Sequence, residues 1–426
     1  MPSSLFISTR GASPTVPFAT ALLDGLAPDG GLYVPTHIPP LASGWEHASS
    51  MAEIGAHVLR PWLANDFGTD RLDAIVADAL SFPIPLVGLA EDGWDQISVL
   101  ELFHGPTLSF KDVGARTMAR LMAEVLDEPI TILAATSGDT GSAVADGFAG
   151  VEGVRVVLLY PKGQVSAVQE RQLVVERSGV QTLAVEGTFD DCQRLVKAAF
   201  QSPPKGVRLS SANSINIGRL LPQMTYYAWA LRQLESDESP IVIVPSGNLG
   251  NLTAGVLMQL SGLPIRHFVA AHNANDGFPR FLTGGPPPEG ISVRTLSNAM
   301  DVGTPSNAER LTHLLGSELA THISGDSIDD ATTLATMRTV HEHTGYVADP
   351  HTAVGLTAAQ RLRQHGETAP LIVLSTAHPA KFPESVELAI GETPESPARL
   401  AALWDAPTRV ETIPATLDAR VERLAQ

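Results

Sequence analysis

Lys111 closes the stretch His104-Gly105-Pro106-Thr107-Leu108-Ser109-Phe110-Lys111-Asp112, behind apolar and small residues. Val99, Leu100, Leu102 and Phe103 predict a short buried strand before it, and Ala115, Met118, Ala119 and Met122 follow at helical spacing. A lysine at such a junction is partly desolvated, which lowers its pKa and frees the amine for covalent work. Taken alone, Lys111 reads first as an exposed helix-start lysine, because lysines are mostly exposed. The rest of the chain has to reverse that reading.

The loop Ser246-Gly247-Asn248-Leu249-Gly250-Asn251 lies between the apolar run Ile241 to Val244 and a helical pattern from Leu252 to Leu260. Its N–H groups therefore sit at the positive end of a helix dipole. Gly247 and Gly250 let the backbone curl round an anion, and Ser246, Asn248 and Asn251 can add side-chain donors. The loop lacks the Lys-Ser/Thr ending of a nucleotide P-loop and the spacing of a dinucleotide fingerprint. A small monophosphate without Mg²⁺ suits it better than a triphosphate. An ordinary βα turn, glycine-rich for tightness, is the alternative.

Thr136-Ser137-Gly138-Asp139-Thr140-Gly141 has the same strand–loop–helix setting and combines hydroxyls with N–H groups. That suits a carboxylate or phosphate, or simply a well-capped helix start with Ser or Asp as N-cap. Asn213-Ser214-Ile215-Asn216-Ile217-Gly218-Arg219 brings amides, a hydroxyl and a guanidinium fork just ahead of a helix. A polar loop with Arg219 in a surface ion pair is the bland reading. Thr376-Ala377-His378-Pro379-Ala380-Lys381 follows the C-terminal end of the strand Leu371 to Leu374, where ligands of open α/β sheets gather. His378 by itself reads as structural, and His341 and His343 do not make a zinc helix motif. One activatable lysine, one monophosphate cradle, a second anion loop and hydroxyls at a strand end suggest pyridoxal phosphate held as a lysine Schiff base, with an anionic amino acid as substrate.

The elements that must position these groups alternate from about residue 97. Strands are predicted at Ile130 to Ala134, Val154 to Leu159, Gln181 to Val185, Ile241 to Val244, His267 to Ala271 and Leu371 to Leu374. Helices are predicted at Ser142 to Phe148, Ser166 to Arg177, Phe189 to Phe200, Asn307 to Leu315, Asp330 to His343 and Thr352 to Gln364. This rhythm argues an α/β protein with a mostly parallel sheet covered on both faces. The first ninety residues are rich in Pro and Gly, with a strand after Asp29-Gly30-Gly31 and helices near Met51 to Leu63 and Thr69 to Leu80. The tail beyond about 396 shows no readable chemistry.

Composition narrows the function classes. With 426 residues, 44% of them hydrophobic and 17% charged, the chain can bury sizeable cores. A formal net charge of −18 argues against a nucleic-acid or anionic-membrane partner. Cys192 is the lone cysteine, so neither a disulfide framework nor a Cys-rich metal site is expected, which fits a reducing compartment. Met1-Pro2-Ser3-Ser4-Leu5-Phe6 carries no signal-peptide pattern, and no apolar run reaches the length of a membrane span. A soluble cytoplasmic protein is expected.

His104-Gly-Pro-Thr-x-x-Phe-Lys-Asp, Thr136-Ser-Gly-Asp-Thr-Gly, Asn213-Ser-Ile-Asn-x-x-Arg, Pro245-Ser-Gly-Asn-x-Gly-Asn and Ala377-His-Pro-Ala-Lys-Phe, in this order, resemble the threonine synthase family. Ser8-Thr9-Arg10-Gly11 also resembles the N-terminal module of its longer branch. The resemblance, over about residues 1 to 390, implies a pyridoxal-phosphate enzyme of fold type II, like the tryptophan synthase β subunit. Two open, mostly parallel sheets with flanking helices would join a small N-terminal α/β module. The implied divisions are an N-terminal module at 1–90, a cofactor-binding catalytic region of two lobes at 91–395 with the active site between them, and a tail at 396–426. Lys111 would be the Schiff-base lysine, Ser246, Gly247, Asn248, Leu249, Gly250 and Asn251 would hold the cofactor phosphate, and Thr376 would meet the ring nitrogen. Thr136, Ser137, Asp139 and Thr140 match the segment that binds the substrate carboxylate. Related enzymes often have Asn where this chain has Asp139 beside the cofactor's 3′-oxygen, and an ionised Asp cannot donate there. Asn213, Ser214 and Arg219, with Lys381 as a weaker candidate, would bind the substrate phosphate. The reaction implied turns O-phospho-L-homoserine and water into L-threonine and phosphate, and a monomer is the expected state. The rival readings are a phospho-lyase or dehydratase of the same fold that releases a 2-oxo acid, and a non-catalytic protein that keeps the cofactor pocket.

Overall fold

The apolar runs pair into two sheets whose central strands are buried on both faces, which explains why they read as continuous hydrophobic segments and not as alternations. A computed structural model describes residues 4–89, 91 and 93–416. The larger sheet has six strands in the order Ile323–Ser327, His267–His272, Ile241–Pro245, Leu371–Ser375, Ile97–Glu101 and Leu86–Gly88. All its pairings are parallel except that of Leu86–Gly88. The smaller sheet has five parallel strands in the order Glu411–Pro414, Val180–Glu186, Val154–Pro161, Ile130–Ala135 and Leu209–Ser210.

The chain starts the larger sheet with Leu86–Gly88 and Ile97–Glu101, crosses over to build most of the smaller one, and returns at Ile241–Pro245. Two helical segments mark these crossings. Lys111–Val125 leads out and packs on the helix Asp139–Phe148, while the run from Ile217 through Gln233 leads back. The cleft therefore opens at the C-terminal ends of parallel strands from both sheets, the general location of ligands in open α/β folds.

The N-terminal residues form a three-stranded antiparallel sheet of Leu5–Ser8, Val16–Pro17 and Tyr33–Pro35, with the helix Phe18–Asp24. Its core is continuous with that of the two larger sheets: Phe6, Phe18 and Tyr33 share one buried cluster with Tyr226, Leu252 and Leu374. Two buried polar groups fasten the same seam. Asn216 Nδ2 donates to the carbonyls of Leu22 and Ser211, at 2.8 and 2.9 Å. Arg310 Nε donates to the Tyr33 carbonyl at 2.9 Å.

Several boundaries depart from the sequence-based expectation in one direction. The helices begin at Asp139, Gly250 and Pro350, two or three residues before the apolar periodicity starts. Their first turns are built of small and polar residues because their N–H groups face the cleft or a cap, so hydrophobic spacing cannot reveal them. The strand Ile323–Ser327 (Ile-Ser-Gly-Asp-Ser) buries little beyond Ile323 and is fixed by pairing with His267–His272 at the sheet edge. The segment after 396 is not an appendage. Glu411–Pro414 adds the outermost strand beside Val180–Glu186, and Arg171 donates to the carbonyls of Leu403, Trp404 and Ala406 at 2.6–2.7 Å. Residues 1–3 of the N-terminal reading and 417–426 of the tail lie outside the described residues. Among the described residues no helix is long and apolar enough to cross a membrane.

Candidate active site

Lys111 is the first residue of its helix, and the preceding loop is fastened on both sides. Asp112, fully buried, accepts from the Thr107 N–H at 2.8 Å and the Thr107 hydroxyl at 2.6 Å. Gly105 lies so close to that carboxylate that a Cβ would come within 2.4 Å of Oδ2, so only glycine fits. Phe110 N–H donates to the Thr376 carbonyl at 2.9 Å, and His378 N–H to the Leu108 carbonyl at 3.1 Å, tying the lysine loop to the end of Leu371–Ser375. The Lys111 amine stands 4.3 Å from the centre of the Phe110 ring, on the cleft wall. Burial lowers its pKa to about 8. The Asp139 carboxylate pulls it up, and Arg219 and Lys381 push it down.

Across the cleft, the N–H groups of Gly247, Asn248 and Leu249 donate to no protein acceptor among the described residues. Leu249 adopts the left-handed conformation at φ 62°, which turns successive N–H groups toward one point, an anion-binding concavity at the start of the helix Gly250–Leu260. The side chains divide the work differently from the sequence-based expectation. Ser246 spends its hydroxyl on the Val244 carbonyl at 2.7 Å and its N–H on the Ala271 carbonyl at 2.8 Å. Asn248 is spent as well: it donates to Ser214 Oγ at 2.7 Å and accepts from Ser306 N–H at 2.6 Å. Asn251 Oδ1 accepts from the hydroxyls of Tyr226 and Tyr227, both at 2.6 Å, leaving its buried Nδ2 without a partner. What remains open to a ligand here is backbone N–H and one amide.

In the second anion loop, Thr136 and not Ser137 or Asp139 acts as the cap: its hydroxyl oxygen accepts from Gly138 N–H at 3.0 Å and Gly141 N–H at 2.8 Å. Thr136, Ser137, Asp139 and Thr140 all line the cleft. Asp139 is buried. Burial alone would raise its carboxyl, but the positive charges of Lys381 and Lys111 hold it well below the usual carboxylate range. Lys381 does not line the cleft. Fully buried, its amine is 2.8 Å from Asp139 Oδ1 and donates to the Thr107 carbonyl at 3.0 Å, so it is not free for a substrate phosphate. His378 is structural: its Nδ1 accepts from Ala380 N–H at 3.1 Å, and the ring packs edge-on against Phe103.

Asn213, Ser214 and Arg219 line the cleft on its third side. Arg219 is buried, not paired on the surface; Nη1 donates to the Ala212 carbonyl while Nε has no partner. Burial lowers its pKa to about 10, against the pull of Asp112 and Tyr226. Asn213 Oδ1 is likewise buried and unpartnered. Ser214 Oγ accepts from Asn248 and Asn307, at 2.7 and 3.3 Å, which leaves its own proton to donate.

Three models of known families match the chain: the pyridoxal-phosphate dependent enzymes over residues 84–376, the threonine synthase N terminus over 5–80, and the threonine synthase C-terminal part over 352–424. The threonine synthase of Serratia marcescens is 42% identical over 411 residues, 94% of each chain. The chain belongs to the threonine synthase family. Among solved structures, the Escherichia coli threonine synthase is 39% identical with a TM-score of 0.91, and the threonine synthase of Brucella melitensis, solved with pyridoxal phosphate bound, is 35% identical with a TM-score of 0.90. Each covers 99% of both chains. The expected fold class, two open and mostly parallel sheets of a pyridoxal-phosphate enzyme, is therefore the observed one, and pyridoxal phosphate is the cofactor of this threonine synthase family member.

The residues present fit that cofactor. A phosphate finds unspent N–H groups at the cradle, and Lys111 offers an amine of lowered pKa. Gly247 shows how tightly the cradle is roofed: a Cβ there would lie 2.8 Å from Met300 Cα and 3.2 Å from the Ala299 carbonyl oxygen. Backbone cannot swing aside as a side chain can, so Gly247→Ala should shift the roof at a cost of about 1–3 kcal/mol, roughly a 5- to 150-fold loss of cofactor affinity. Fluorescence titration of cofactor-free protein with pyridoxal phosphate measures it, and unchanged affinity would contradict this account of the roof.

Sequence reasoning missed the groups that hold this roof. His351 Nδ1 donates to Asp349 Oδ1 at 2.7 Å, and its Nε2 accepts from Ala299 N–H at 3.1 Å, which fixes the neutral tautomer. Asp301 gathers Asn273, Asn275 and Thr295 at 2.7–3.1 Å. Asn307 and the fully buried Arg310 hold the Ser214 carbonyl at 3.3 and 3.0 Å. Asp349 before Pro350 is a readable helix start, and it was the one available signal for His351. The others carry none.

Proposed function

We propose that this chain converts O-phospho-L-homoserine and water into L-threonine and phosphate, with Lys111 carrying the cofactor and moving the protons. One observation supports this above the others: a single cleft holds an amine of lowered pKa, a cradle of free N–H groups and a buried guanidinium with an unpartnered N–H. Two separate anion sites suit a phosphorylated cofactor together with a phosphorylated substrate.

Gly247, Asn248, Leu249 and Gly250 hold the cofactor phosphate through backbone N–H groups, with Asn251 adding its amide. Ser246 and the side chain of Asn248 shape the loop. Thr376 sits at the strand end as the hydroxyl partner for the ring nitrogen. Pyridoxal phosphate, when bound, supplies the electron sink that makes the α- and β-protons of an amino acid removable. The Lys111 amine, free of the cofactor once substrate is bound, accepts the Cα proton and serves again at Cβ and Cγ; a pKa near 8 keeps it available in both protonation states near neutral pH. Thr136, Ser137, Thr140 and the helix start at Asp139 hold the substrate carboxylate. Asn213, Ser214 and Arg219 bind the substrate phosphate and retain it as it leaves Cγ. Water then adds at Cβ. The cleft is complete within one chain, which supports a monomer, and the single buried thiol of Cys192 fits a reducing cytoplasm.

Incubation with O-phospho-L-homoserine should release L-threonine and phosphate in equal amounts. Phosphate release accompanied by 2-oxobutyrate in place of threonine would overturn the assignment in favour of a phospho-lyase.

A further inference from the structure

The buried pair of Asp139 and Lys381 joins the two sheets. Asp139 follows Ile130–Ala135 in the smaller sheet, and Lys381 follows Leu371–Ser375 in the larger. Their 2.8 Å contact is sealed from solvent, with side-chain exposures of 3% and 0%. Neighbouring bonds hold both ends. Gln169 Nε2 donates to the same Asp139 oxygen at 3.0 Å, and Ser166 Oγ donates to the Lys381 carbonyl at 3.0 Å. Gln169 in turn accepts from Asn298 Nδ2 at 3.1 Å, a residue beside the cradle roof.

Stability does not explain such a pair, because apolar packing of equal volume usually serves as well as a buried ion pair. The two ends also differ in what they face. Asp139 lines the cleft with Lys111, whereas Lys381 is behind it, between Asp139 and the Thr107 carbonyl. An isolated carboxylate in that wall would take its counter-ion from the cleft and draw a proton onto Lys111. We propose that Lys381 is a positioning residue of this reaction: it holds Asp139 across the seam between the sheets, so that the two present a neutral pair to the Lys111 amine. The titratable groups around this arrangement are few. Lys381 and Lys111 face Asp139, with the neutral His351 beyond; Asp139, Arg219 and Lys381 face Lys111; and Asp112 and the imidazole of His378 also lie near Lys381.

The test is a pH titration of the bound cofactor's absorbance in the holoenzyme, which reads protonation at the Lys111 nitrogen. Lys381→Met strands the Asp139 carboxylate, so the midpoint should rise by about one unit or more. Asp139→Asn strands the Lys381 ammonium, so the midpoint should fall by a similar amount. The double variant restores neutrality and should return the midpoint to within about 0.3 units of wild type. Folded single variants with unmoved midpoints, or with shifts of the same sign, would overturn the proposal even if turnover fell. If Lys381→Met does not fold, the fall in Asp139→Asn and its reversal in the double variant carry the decision. This inference rests on Lys111 carrying the cofactor, which borohydride reduction and peptide mapping of the wild-type holoenzyme test separately. Label found on another residue sinks the site assignment, whereas an unmoved midpoint with Lys111 labelled sinks only the role of Lys381.

Discussion

Lys111→Ala is expected to keep the cofactor bound but lose threonine formation by at least about four orders of magnitude, because the amine serves more than one proton transfer and each such role is worth about 10²–10⁴-fold. Binding should persist because the cradle is built on other elements. The free N–H groups of Gly247 to Leu249 and the Asn251 amide follow the strand Ile241–Pro245, and no hydrogen bond among the described residues ties that loop to the helix that begins at Lys111. Dialysis and absorbance measure retention, and single-turnover assays with O-phospho-L-homoserine measure chemistry. A variant that kept even a few hundredths of the wild-type rate would show that another group moves the protons. The wild-type amine has a pH signature of its own. In cofactor-free protein, labelling of Lys111 by an amine-directed reagent should reach half its limiting rate near pH 8, not at the ordinary lysine value of 10.5, since burial favours the neutral form that reacts. Half-labelling near 10.5 would mean that the amine is solvated and that the cleft does not activate it.

The fold was largely legible because its central strands are apolar on both faces. Ile241 to Val244, Ile130 to Ala134 and Leu371 to Leu374 are such runs, and helical periodicity between them is enough to call for parallel crossovers. Glu411–Pro414 and Ile323–Ser327 were not legible, since edge strands bury one face at most and owe their existence to a neighbour's free N–H and C=O groups. In the site, residue types at strand ends marked Lys111, the Ser246 to Asn251 loop and Arg219, and the family resemblance supplied their roles. How donors are allocated was hidden. Ser214 and Asn248 are individually plausible anion ligands by type, yet in space Asn248 donates to Ser214, and Ser246 turns its hydroxyl back on Val244. Lys381 reads as a phosphate ligand until Asp139 is found at 2.8 Å, a contact between strand ends of different sheets that no local spacing encodes. Asp301, Arg310 and the Leu249 backbone at φ 62° belong to the same class, being consequences of which loops the two sheets bring together.

Arg219→Met should lower kcat/KM for O-phospho-L-homoserine by about two to three orders of magnitude, as expected for truncating one partner of a desolvated charge pair at 2–5 kcal/mol. The guanidinium is buried, spends Nη1 on the Ala212 carbonyl, has no carboxylate within salt-bridge distance among the described residues, and leaves Nε unpartnered. Burial that lowers its pKa to about 10 is a cost borne by the free protein, and a dianionic phosphate in the cleft is the partner that offsets it. Two consequences separate this role from a structural one. The methionine variant should be no less stable to urea than wild type, because a costly buried charge is exchanged for apolar volume. The inhibition constant of inorganic phosphate should rise in step with the loss in kcat/KM, while cofactor affinity stays put. Arg219→Lys should fall between, since it keeps the charge but loses the planar fork. The opposite pattern, with cofactor affinity lost and phosphate inhibition intact, would mean that the two anion sites have been assigned the wrong way round. The loop at Gly247 would then be the place where substrate phosphate leaves.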